Sequence, residues 1–178
     1  YFAYFPVAGY QDLREAIASK YQRENKVPYK AENIVVSNGA KQSIANALLA
    51  LLNPGDEVII FSPYWVSYDA LVRLTEATPV IVQGGIDNDF KVTPAQLEAA
   101  ITAKTKAIMF SSPCNPTGSV FSGKELHDIA NIVLKHPDLL VIADEIYEHI
   151  NFTGEQVSIA SFPGMFDRTI TVNGFAKG

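Results

Sequence analysis

The sequence is short of several things, and each shortage excludes something. It has one cysteine, Cys114, in 178 residues. No internal disulfide can form, and a reducing compartment, the cytoplasm, is the expected location. Basic residues are outnumbered: 14 Lys and Arg against 19 Asp and Glu leave a net charge of −5. A chain that neutralises nucleic-acid phosphates needs a basic face, so no nucleic acid is expected as a partner. No apolar run approaches the length of a bilayer span, so no membrane is expected either. The opening stretch YFAYFPVAGY lacks the basic segment and apolar run of a secretory signal. The histidines, His127, His136 and His149, show no ligand spacing, and no metal is expected. There is no repeat and no low-complexity segment. The chain opens on a tyrosine in mid-pattern and stops at Gly178 straight after a strand-like run, which reads as a piece of a longer protein.

What is present has a globular balance, 48% hydrophobic and 19% charged, on a chain long enough for one domain with a sizeable core. Helical and extended patterns alternate. QDLREAIASKYQREN carries Leu13, Ile17 and Tyr21 at four-residue spacing, a one-faced helix. AKQSIANALLALL, WVSYDALVRLTEA, TPAQLEAAIT and SGKELHDIANIVLKH also read as helices. Thr93 and Ser122 are candidate N-caps, with Pro94 at a first helical position and Glu125 completing a capping box. Between them, NIVVS, EVIIF, PVIVQ, KAIMFS, LLVIA and TITVN read as six short apolar strands. Continuous apolar strands alternating with helices predict an α/β fold: a three-layer sandwich with a mainly parallel sheet and helices on both faces. In such sheets a ligand sits at the carboxyl ends of the strands, so the residues that follow each strand are the ones to read.

Two chemistries compete for those residues. GSVFSGKE, from Gly118 to Glu125, satisfies most of a nucleotide-binding P-loop, and Asp144-Glu145 follow an apolar strand as an Mg²⁺-binding acid would. The match breaks at its last position. A hydroxyl is needed there for Mg²⁺, and Glu125 would repel phosphate instead. Seven residues also separate the loop from its strand, so SGKE reads better as a helix cap.

The second chemistry is a site for an aromatic phosphate. SNGAKQ places Gly39, Ala40 and Lys41 at a strand-to-helix turn, where backbone N–H groups and the helix dipole attract an anion. Glycine there more often serves the turn alone. Trp65 follows a strand end and could stack on a flat ring or fill the core; alone, core is the commoner outcome. Asp144 follows five apolar residues and is expected buried. It then needs a partner, either a pyridinium N–H or a structural cation. Tyr147, three residues on, can share a ligand with it. Asn115 lies in SSPCNPTGSV, where two X-Pro bonds mark a rigid turn. Lys177 lies just past a strand, where desolvation would make a Schiff-base former of it, although most lysines are simply solvated.

In this order these stretches resemble the large domain of the pyridoxal-phosphate aminotransferases of the aspartate aminotransferase type. The resemblance rests on YFPVAGYQDLREAIA, VVSNGAKQSI, NPGDEVIIFSPYWVSY, SSPCNPTGSVF, VIADEIYEHI and TVNGFAKG, and covers essentially residues 1–178. It implies a cofactor-binding large domain without its N-terminal arm and small domain. It implies pyridoxal 5′-phosphate held by Lys177 as a Schiff base, with Lys177 then shuttling the substrate's proton. Asp144 would pair with the pyridine nitrogen, Tyr147 and Asn115 would bond the ring's phenolic oxygen, and Trp65 would stack on the ring. The backbone N–H groups of Gly39, Ala40 and Lys41 would hold the phosphate. Tyr4 matches a tyrosine that reaches the phosphate of a neighbouring subunit, so a homodimer is expected. Lys41 also matches a lysine linked, in one branch of the family, to an acidic substrate side chain. The implied reaction moves an amino group from an amino acid, aspartate first, to a 2-oxo acid, 2-oxoglutarate first. An aromatic or kynurenine transaminase or a C–S lyase on the same scaffold would use the same residues. A non-catalytic α/β fragment is the alternative of another class, and these residues alone are not expected to transaminate. In some family members a serine that contacts the phosphate stands where this chain has Gly174. A strand after the lysine that returns antiparallel into the sheet would lie beyond Gly178.

Overall fold

The computed structural model describes residues 4–152, 154 and 156–177. Five strands, β1 (Glu57–Ser62), β2 (Thr78–Gln83), β3 (Thr105–Ser111), β4 (Leu140–Asp144) and β5 (Thr169–Val172), form one sheet in the order β2-β1-β3-β4-β5. Every pairing is parallel. Parallel neighbours need long crossovers, and these carry α3 (Ser67–Leu74), α4 (Pro94–Ala100) and α5 (Gly123–Val133). α1 (Gln11–Lys20) and α2 (Ala40–Leu51) precede the sheet.

Alternation along the strands divides the core into two layers. Ile59, Phe61, Ile108, Phe110, Val141 and Ala143 pack on one face with Leu97 of α4 and with Leu126, Ile129 and Val133 of α5. Val58, Ile60, Ala107, Met109 and Ile142 pack on the other with Ile44 and Leu48 of α2 and with Tyr68 and Val72 of α3. Residues 126, 129 and 133 recur at helical spacing, so α5 turns one apolar stripe to the sheet. Each fully buried side chain of this size contributes about 1.5–3 kcal/mol. The helix starts follow the sequence. Thr93 and Ser122 cap α4 and α5 through full capping boxes, and Pro94 opens α4.

Two expectations are corrected. NIVVS does not join the sheet. Its backbone is extended at Ile34, yet the Ile34 carbonyl accepts from Arg14 Nε at 3.0 Å and Val36 N–H donates to the Ala8 carbonyl at 3.0 Å. With those groups bonded elsewhere no ladder forms. Ile34 and Val36 pack in a separate small cluster with Ala18, Tyr21, Val27 and Tyr29. Only Ile34 of this run is buried and Val35 is exposed, so the apolar pattern alone does not make a strand. The first helix is also not uniform: after Lys20 it widens into a π-helical turn, Tyr21–Asn25, closed by Lys26 in the left-handed region. No helix among the described residues is long and apolar enough to cross a membrane.

Candidate functional site

β1 and β3 are neighbours, but the chain leaves β1 for a helix on one face and β3 for a helix on the other, which opens a crevice at their carboxyl ends. The segments leaving the two strands meet there: Cys114 Sγ lies 3.4 Å from the Pro63 carbonyl oxygen. The Ser62–Pro63, Ser112–Pro113 and Asn115–Pro116 bonds are cis. The turn after β3 is closed by its own backbone, with Cys114 N–H on the Ser119 carbonyl at 2.9 Å and Gly118 N–H on the Cys114 carbonyl at 2.8 Å.

Asp144 ends β4, level with Ser111 and Val172 of the flanking strands, and is 3% exposed. Tyr68 Oη donates to its Oδ2 at 2.6 Å and Ile146 N–H to its Oδ1 at 3.2 Å. Burial pushes the carboxyl above its usual range, and these two donors hold the rise back. Both donors are neutral. Among the described residues no cation forms an ion pair with Asp144. Tyr68 is fully buried, and burial together with the adjacent carboxylate drives its hydroxyl far up, so it stays a donor.

The half-buried Tyr147 sits in the turn after β4, with Asn115 Nδ2 3.5 Å from its hydroxyl, a long contact. Trp65 is half-buried and meets Tyr68 edge-on at 5.7 Å. Lys41 Nζ lies 4.9 Å from the centre of the Trp65 ring and so ties the start of α2 to the end of β1. Gly39 precedes α2 with φ 87° and ψ 160°, a region essentially reserved for glycine. Its own N–H is turned to the Ser37 carbonyl at 2.9 Å. Among the described residues the next two N–H groups, of Ala40 and Lys41, have no acceptor and open the helix dipole to the crevice.

Two predicted residues stand apart. Lys177 is exposed and makes no hydrogen bond or ion pair among the described residues, so the desolvation expected of it is not supplied here. Tyr4 is fully exposed. The P-loop reading fails on geometry: Ser122 and Glu125 close a helix cap, and Lys124 pairs with Asp128 at 2.7 Å.

The sequence pattern assigns no role to Tyr68 or Glu148 and offers Glu145 only as part of the acidic pair of the P-loop alternative; the structure gathers all three at this end of the sheet. Tyr68 was legible, because it lies one turn from Val72 on the buried stripe of α3. Glu145 is buried, and among the described residues its Oε2 has no hydrogen-bond partner. Glu148 is buried under the π-helical turn, where it accepts from Asn25 and Asn173. Nothing in the one-dimensional pattern of DEIYEHI announces the burial of these two acids.

The strand ends of this parallel sheet thus gather a buried carboxylate, an indole, an Asn–Tyr pair and a helix N-terminus. The family described as aminotransferase class I and II matches residues 1–178, and the chain belongs to it. A bifunctional aspartate aminotransferase and glutamate/aspartate-prephenate aminotransferase of Petunia hybrida is 54% identical over 175 residues, covering 98% of this chain and 36% of that protein. The aspartate aminotransferase of Thermus thermophilus, solved with maleate, superposes with a TM-score of 0.94 at 42% identity, covering 98% of this chain and 45% of that one. An aromatic aminotransferase of Pyrococcus horikoshii gives 0.94 at 44% identity, covering 98% and 47%. The chain therefore spans less than half the length of these relatives.

Proposed function

We propose that this chain is the cofactor-binding large domain of a pyridoxal-phosphate-dependent aminotransferase. The whole protein would transfer an amino group between an amino acid, aspartate first, and a 2-oxo acid, 2-oxoglutarate first. The observation that carries this reading is the Asp144 carboxylate: buried, held by two neutral donors, and paired with no cation among the described residues. Such a group calls for a cationic partner, and a protonated pyridine nitrogen is one.

The residues present fit the cofactor. Ala40 and Lys41 offer its phosphate N–H groups that have no acceptor among the described residues, and Gly39 contributes the backbone shape that exposes them. Trp65 offers a ring face, and Asn115 and Tyr147 offer donors for a phenolic oxygen. When bound, pyridoxal phosphate supplies an aromatic ring that accepts the electrons left at the substrate's Cα. Asp144 would keep a proton on the ring nitrogen, and Tyr68 would keep Asp144 in place. Lys177 would bind the cofactor covalently through Nζ and then carry the proton from the substrate's Cα. Tyr4, fully exposed here, would reach the phosphate site of a second subunit, as in a homodimer. The single cysteine supports a cytoplasmic location.

The choice of acceptor has a second reading, because the Petunia relative is named for prephenate as well as for aspartate, and the Pyrococcus neighbour for aromatic substrates. Turnover by the intact protein on a donor and acceptor panel tests both. Aspartate should serve as donor with 2-oxoglutarate, with prephenate or with both. Transamination of none of the panel would contradict the reading.

A further inference from the structure

Asn173 is the first residue after β5 and begins the loop that leads to Lys177. Its Oδ1 accepts from Gly174 N–H at 2.7 Å, and its Nδ2 donates to Glu148 Oε1 at 2.6 Å. Glu148 belongs to the turn after β4, next to Tyr147. It is 8% exposed, and its other partners come from the end of the first helix: Asn25 Nδ2 donates to Oε2 at 2.8 Å, and the Lys20 ammonium bonds Oε1. Lys20 also donates to Asn25 Oδ1 at 2.9 Å, which closes the network, and His149 Nε2 lies 3.5 Å from Glu148. The two turns touch independently of this network. A Cβ at Gly174 would stand 3.1 Å from Ile146 Cδ1, a close approach that glycine permits. Beyond Gly174 the loop is exposed at Phe175, Ala176 and Lys177.

We infer that Glu148 is a positioning residue for Lys177, acting through Asn173: one buried carboxylate joins the π-helical turn, the turn that carries Tyr147 and the loop that carries Lys177. The inference rests on the proposed role of Lys177, and its physical part stands without it. A carboxylate accepts from all three donors here with no N–H opposed to another, whereas an amide in its place turns an N–H toward one of them. The loop then loses the charge-assisted bond that ties Asn173 to the turn after β4, and keeps the Tyr21 hydroxyl beside Asn173 and the Ile146 contact at Gly174. An error of about 1 Å in a reacting group costs up to about a hundredfold in rate, so loosening this anchor falls on Lys177 first.

The test uses two variants of the intact protein, Glu148→Gln and Asn173→Ala, and two measurements. Amide hydrogen exchange without cofactor should quicken about tenfold or more at residues 174–177 while α5 stays as protected as in the parent. The dissociation constant for pyridoxal phosphate, followed by absorbance, should rise about tenfold or more. Pairing Glu148→Gln with Asn173→Asp reverses donor and acceptor and should return exchange toward the parent rate. Asn173→Ala leaves the Lys20–Glu148–Asn25 bonds in place and carries the test should Glu148→Gln fail to fold. Unchanged exchange at 174–177 in the folded variants, or an equal rise in α5, overturns the inference. A parent protein that binds no pyridoxal phosphate would overturn the functional reading instead, and the exchange pattern would still judge the anchor.

Discussion

Tyr68 of α3 reaches under the sheet's carboxyl edge and donates its hydroxyl to Asp144 Oδ2 across 2.6 Å, both residues buried. The bond joins a helix on one face of the sheet to the end of a central strand. It also fixes one carboxylate oxygen with a neutral donor, which leaves the charge of Asp144 for a ligand. Tyr68→Phe removes the donor at little change of shape. The buried acceptor left behind should cost about 1–3 kcal/mol, read as a lower denaturant midpoint with unchanged slope. An unchanged midpoint would mean that the bond contributes nothing.

Glu145 sets a pH dependence. Burial raises its carboxyl from an ordinary 4.5 to about 8, with the charge of Glu148 adding to the rise. The Lys20 charge opposes it, and among the described residues neither Glu145 Oε2 nor Ser158 Oγ finds a hydrogen-bond partner. The folded state thus holds this proton more tightly than the unfolded one. The stability it contributes is complete below about pH 4.5 and drains away as pH rises toward about 8. Unfolding at pH 5, 6.5 and 8 should show that decline. Glu145→Gln, which cannot ionise, should flatten it, and an equally steep decline in the variant would contradict the assignment.

Gly39 is held by its backbone rather than by packing. A Cβ would meet nothing within 4 Å, yet φ 87° and ψ 160° suit almost no other residue. Gly39→Ala should therefore cost about 1–3 kcal/mol through strain alone, measured by denaturant unfolding. It should also weaken pyridoxal-phosphate binding, because relaxing the strain turns the Ala40 and Lys41 N–H groups away.

The start of α5 separates a helix cap from a P-loop. Ser122→Ala should cost about 1 kcal/mol in thermal or chemical unfolding. Lys124→Ala removes an exposed, solvent-screened pair with Asp128 and should leave the denaturant midpoint unchanged. It should leave cofactor binding untouched. Nucleotide binding lost with Lys124 would reverse that assignment.

Much of this was legible in the chain. Thr93, Pro94, Ser122 and Glu125 announce their helix starts because a cap is a local event, settled within four residues. Asp144 is legible because five apolar residues carry it into the sheet, and five of the six expected strands stand where the apolar runs are. What was hidden depends on contacts far apart in sequence. NIVVS is apolar like a strand, but its backbone bonds go to Ala8 and Arg14. Glu148 looks like one more surface acid until Lys20, Asn25 and Asn173 close over it. Lys177 was expected to be desolvated from its place after β5, yet the described residues leave it exposed, since a strand end fixes where a loop begins and not what covers it.

Reductive trapping asks whether Lys177 is the residue that takes the cofactor. The intact protein is incubated with pyridoxal phosphate, reduced with borohydride and mapped by mass spectrometry. One dominant adduct on Lys177 is expected, absent in Lys177→Ala and weakened in Asp144→Ala. Labelling scattered over exposed lysines such as Lys30 and Lys124, with no preference for Lys177, would contradict it.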